Sequence, residues 1–130
     1  MARIRTIKPE FWSDGDLLKI SRDSRLFYIG LWNFADDNGV LEYDVMSLKA
    51  RIFPIDDVDV SELTANLIDA GKLIAYEVDG KRYVCAKNLV NHQVIDRPRK
   101  SHLPPPNKST IQLKSTEIML GRKEGRKGRI

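Results

Sequence analysis

Residues 59–86, DVSELTANLIDAGKLIAYEVDGKRYVCA, read as a helix running directly into a two-stranded hairpin. Asp59 is placed to cap the helix, and Glu62 three residues later completes an Asp-x-x-Glu variant of the capping box. Val60, Leu63 and Leu67 follow helical spacing and form one buried stripe, with Ile68 beside it. Gly71 supplies the left-handed residue that stops the helix. The apolar runs Leu73–Val78 and Lys81–Ala86 are joined by Asp79-Gly80, a strong signal for a type I′ hairpin. A two-residue loop sets Val78 against Lys81, Glu77 against Arg82, Tyr76 against Tyr83 and Ile74 against Cys85. One face then carries an aromatic pair and the other an opposite-charge pair.

Upstream, Pro9 suits the first turn of a short helix anchored by Phe11 and Trp12. Ser13–Asp16 reads as a loop, and Ser21 caps a long helix over about residues 22–35. Leu26, Ile29, Gly30 and Phe34 lie on one side of that helix, with Phe27, Leu31 and Trp32 widening the stripe. Asp36–Gly39 is a dense turn signal, and Val40-Leu41 a short strand beside the hairpin. Asp44 caps a second helix through Val45, Leu48 and Ile52, which Pro54 ends. The order helix, strand, helix, helix, hairpin predicts an α+β winged helix-turn-helix, a three-helix bundle with a hairpin wing. The domain is expected to span 1–96, with Leu89, Val90, Val94 and Ile95 packing back on it. Residues 97–130 read as a flexible basic tail stiffened by Pro104-Pro105-Pro106, with one short element over Ile111–Leu120.

The net charge of +4 hides a division. Residues 1–96 carry 12 Lys/Arg against 16 Asp/Glu, whereas 97–130 carry 10 against two. The basic character therefore belongs to the end of the chain. No apolar stretch is long enough for a membrane span, no signal peptide is seen, and the single Cys85 excludes an internal disulfide. A bacterial cytoplasm is the expected compartment.

Enzyme chemistry finds little to use. His92, His102 and Cys85 do not match zinc-ligand spacing, and no Gly-rich phosphate loop is present. Asp36-Asp37 and Asp56-Asp57 read as turn and cap residues rather than magnesium ligands, and a strand thiol as inert packing. No catalytic, metal or cofactor residue is assigned. Nucleic-acid contact is better supported: Ser61, Thr64 and Asn66 are the candidate base readers on the third helix. Lys81 and Arg82 lie on the wing, Lys49 and Arg51 on the second helix, and Arg97, Arg99 and Lys100 open the tail. Arg122, Lys123, Arg126, Lys127 and Arg129 continue it, and Arg3, Arg5 and Lys8 form an amino-terminal arm of the kind that follows a minor groove. The third helix has no cation before Lys72, so its acidic surface equally fits a protein partner.

Ile4–Trp12, Arg25–Asp37, Gly71–Ile74 and His92–Pro98 together resemble phage-encoded replication proteins of the replisome-organiser or helicase-loader type. Those carry an amino-terminal winged helix in the style of DnaD proteins, and the likeness covers about residues 1–98. It implies a phage or prophage protein of replication initiation that binds DNA or organises the assembly that loads the helicase. Together with the residues, this gives the expectation of a non-enzymatic DNA-binding protein with double-stranded DNA as its partner. Two alternatives stay open: an interaction or oligomerisation module of the replication machinery, and a winged-helix transcriptional regulator.

Overall fold

The computed structural model of the chain describes residues 2–87, 89, 102–107 and 110–120. A 3-10 turn (Pro9–Ser13) and a short helix α1 (Gly15–Leu18) lead into α2 (Arg22–Phe34), β1 (Val40–Glu42), α3 (Val45–Ile52) and α4 (Val60–Asp69). The hairpin β2 (Leu73–Val78) and β3 (Lys81–Ala86) follows, then β4 (Ile111–Leu113) and a helix α5 over residues 115–120. The fold is α+β, with an antiparallel sheet in the order β1-β3-β2-β4.

Local chemistry sets most boundaries. Ser21 accepts from the Ser24 amide, and Asp59 accepts from the Ser61 and Glu62 amides, so α2 and α4 begin at capped positions. Asp44 stands at the N-cap of α3 but makes no capping bond with its side chain. Asp14, expected in a loop, caps α1 through the Asp16 and Leu17 amides. The hairpin has the expected register throughout, with Asp79 and Gly80 both at positive φ as a type I′ turn requires. Tyr76 and Tyr83 stack at 5.7 Å, while Arg82 and Glu77 meet at 4.0 Å on the opposite face. Gly71 ends α4 at φ +77°. Gly39 has a stricter role: at φ +86° a Cβ would lie 2.5 Å from the Ala86 carbonyl oxygen, where β3 closes against the turn.

The core lies between the helices and one face of the sheet. Phe27, Tyr28, Leu31 and Trp32 of α2 meet Leu63 and Leu67 of α4 and Ala75, Val84 and Leu41 of the sheet. Two expectations change here. Leu26 faces solvent, because the buried stripe of α2 runs through Ser24, Phe27, Tyr28, Leu31 and Trp32. Trp12 is 62% exposed, and only Phe11 anchors the 3-10 turn, meeting the Trp12 ring edge-on at 5.0 Å. The other sheet face holds a smaller cluster of Val40, Tyr76, Tyr83 and Cys85, against which Leu103 packs. The Tyr76 hydroxyl donates to the Pro104 carbonyl at 2.6 Å.

Residues after 96 are thus not all tail. β4 pairs with β2, setting Leu113 opposite Ala75, and Leu113 and Ile118 are 5% and 2% exposed within the core. Burying two large apolar side chains outweighs the short length of strand and helix. Leu89 is buried as expected; Val90, Val94 and Ile95 lie outside the described residues.

Lys72, just after α4, is largely buried and its ammonium lies 2.6 Å from Asp14 and 3.9 Å from Asp16. Burial alone would raise the Asp14 carboxyl, but the Lys72 ammonium and the Leu17 and Asp16 amides outweigh it and hold it below 3.8. A carboxyl whose pKa is depressed by folding stabilises the fold above its unfolded value and loses that contribution as pH falls through the folded one. Urea titrations of Lys72→Met across the acid range are therefore expected to show a shallower loss of stability below pH 3.8 than the parent. An identical acid limb in both proteins would remove this pair from the account.

Candidate nucleic-acid interface

The three proposed base readers are not displayed. Ser61 and Thr64 are 3% and 0% exposed, and the Thr64 hydroxyl donates back to the Val60 carbonyl at 2.8 Å. Asn66 is half-buried and donates to the Ser24 hydroxyl at 3.1 Å, itself 2.8 Å from Ser21. The reason is tertiary: α4 is flanked by α2, α3 and the sheet, and α5 lies along part of what remains. Its short polar residues thus face protein, and burial raises the pKa of the Tyr43 phenol that faces the Ser61 and Thr64 hydroxyls. The outward positions are Glu62 and Asp69, and the Ser115 hydroxyl donates to Asp69 at 2.7 Å. A helix that presents carboxylates in this way repels a phosphate backbone.

The expected cations are spread over separate places. The Lys49 ammonium donates to the Phe53 carbonyl at 3.2 Å, at the end of α3, and lines a hollow with Asp57, Asp59 and Glu62. The Arg51 guanidinium lies 5.4 Å from the centre of the Phe34 ring and lines a different hollow with Glu42 and Asp44. Arg82 is shared with Glu77 at 4.0 Å, a half-exposed, solvent-screened pair worth under about 1 kcal/mol. Lys81 is exposed at the hairpin tip. Arg97, Arg99, Lys100, Arg122, Lys123, Arg126, Lys127 and Arg129 lie outside the described residues.

The amino-terminal arm is held by the protein instead of being offered to a groove. Arg3 and Arg5 both pair with Asp37, and Arg5 donates to the carbonyls of Trp32, Ala35 and Asp36 at 3.0 to 3.2 Å. The Arg3 backbone exchanges hydrogen bonds with Asn33. Asp36 accepts from the Asn38 and Val40 amides, so the acidic pair organises the turn. Burial pushes the Cys85 thiol up to about 11, which leaves it protonated and unreactive at neutral pH. Among the described residues no group of three or more His, Cys, Asp or Glu side chains is arranged to hold a metal, and no helix is long and apolar enough to cross a membrane.

The one short element expected over Ile111–Leu120 is in fact two, β4 and α5, and the groove that α5 forms with α4 is not legible in the sequence. One local signal was present: the Glu117 carboxylate accepts from the Lys114 amide at 3.2 Å, half of a capping box written as Lys-Ser-Thr-Glu. No family model, curated protein or solved structure matches the chain.

Proposed function

We propose that the chain is a winged-helix module that binds double-stranded DNA without catalysing a reaction, in phage replication initiation. The positive charge that meets phosphate lies on the wing tip and beyond residue 96, not on α4. The observation that carries this reading is the charge division: ten Lys/Arg against two acids in residues 97–130. The element order supports the winged helix, since α2, β1, α3, α4 and the hairpin follow one another as that fold requires. The likeness to phage replication proteins supplies the process.

The test is a salt titration of DNA binding by the full chain and by glutamine variants, since cutting at residue 96 would remove Leu113 and Ile118 from the core. Neutralising Arg97, Arg99 and Lys100 together is expected to lower the slope of log affinity against log salt by about 2 to 3, and Lys81→Gln by up to about 1. Ser61→Ala and Thr64→Ala should leave sequence preference unchanged. Slopes indifferent to all of these cations would refute the reading. A second reading, a protein-interaction module, is favoured by one observation: the outward positions of α4 are acidic.

A further inference from the structure

Between the outer face of α4 and α5 runs a groove of about 400 Å³, lined by Glu62, Ala65, Asn66, Asp69, Met119 and Leu120, with Ser115 and Thr116 at its edge. Much of the lining surface is apolar, with Ala65, Met119 and Leu120 as its apolar residues beside five polar ones. Glu62 and Asp69 stand on its α4 wall, and Glu62 also borders the neighbouring hollow that holds Asp57 and Asp59. Leu120 is exposed although Ile118, two residues before it, is buried, so α5 is anchored on one side and open on the other.

An apolar floor under acidic walls selects its occupant. DNA is repelled by the carboxylates. The chain's own residues 121–130 offer five cations but a single apolar residue, Ile130, and so match the rim without filling the floor. Among the described residues a second copy presents no pair of exposed large apolar side chains at i, i+3/i+4 on one helix: Leu18, Leu26, Met46 and Leu120 stand singly on four different helices, and the arginines flanking Ile4 are engaged with Asp37. We propose that this groove receives a basic amphipathic helix of a different protein. Its apolar residues, spaced i, i+3/i+4, would seat on Ala65, Met119 and Leu120, and its Lys or Arg side chains would reach Glu62 and Asp69. This deepens the protein-interaction reading and is independent of DNA binding, which the salt titration tests separately.

The probe is a fluorescent helical peptide of Leu, Ala and Lys with Leu at helical spacing, compared with a scrambled peptide of identical composition. Anisotropy is read with the full chain. The patterned peptide should bind, and the scrambled one more weakly by about tenfold, since only the pattern places the anchors in the floor. Glu62→Lys and Leu120→Ser, both at exposed positions, should each weaken binding by about threefold or more. Equal binding of both peptides would reduce the groove to a charged rim, open to the chain's own terminal cations, and overturn the proposal. So would indifference to both variants, or self-association of the chain that Glu62→Lys abolishes, which would assign the groove to a second copy.

Discussion

Replacing Leu113 or Ile118 by alanine is expected to lower the stability of the whole domain by about 2–4 kcal/mol each, read as a fall in the urea midpoint without a change in slope. Both side chains are buried in the same cluster as Phe27, Leu31 and Leu67, although they come from a segment far along the chain. Removing either leaves a cavity walled by residues that α2, α4 and the hairpin already hold in place, so the site cannot collapse to fill it. For a domain of ordinary stability, about 5–15 kcal/mol, the double replacement takes a large part of the total. The two effects need not add, since the residues share neighbours. Leu120→Ala is the control: that side chain is exposed, and its loss should move stability by no more than about 0.5 kcal/mol. If the Leu113 and Ile118 variants unfold at the parent's midpoint, β4 and α5 do not belong to the folded unit, and the groove on α4 goes with them.

What was legible in the sequence was governed by neighbours. Asp79-Gly80 fixes a hairpin because the two-residue loop sets the register by itself, and every expected cross-strand pair from Ile74–Cys85 to Val78–Lys81 is present. Ser21 and Asp59 could be read as caps because the amides they serve lie two or three residues away. What was not legible depends on distant partners. The spacing of Val60, Leu63 and Leu67 marks one buried stripe on α4, but the burial of Ser61, Thr64 and Ala65 comes from packing by elements remote in sequence, and no helical period encodes it. A three-residue edge strand carries too little alternation to separate Ile111–Leu113 from the helix that follows it within one expected element. Arg3 and Arg5 looked like a basic arm because a sequence shows a cation without its counter-charge, which here lies more than thirty residues onward at Asp37.

That counter-charge leads to the second large effect. The Arg5 side chain is 4% exposed and Asp37 3%, so the ion pair sits outside the reach of bulk water. Asp37→Ala would leave the Arg5 guanidinium buried with only carbonyl oxygens around it, and a buried charge stripped of its partner costs about 3–5 kcal/mol. Arg5→Lys should also destabilise, because a point ammonium cannot span the carbonyls of Trp32, Ala35 and Asp36 together with the carboxylate as the planar fork does. Replacing both partners with apolar residues, Arg5→Met with Asp37→Leu, removes the unpaired charge from either side. It should therefore cost less than the sum of the single losses, a coupling that a double-mutant cycle reads directly. The same variants separate two roles for the arm. A clamp predicts lower stability with an unchanged salt slope of DNA binding, whereas a groove-tracking arm predicts unchanged stability and a slope reduced by about 1 for each arginine removed. With three backbone carbonyls and one carboxylate already on Arg5, a phosphate would have to displace partners that the fold holds in position. The clamp is the outcome the geometry favours.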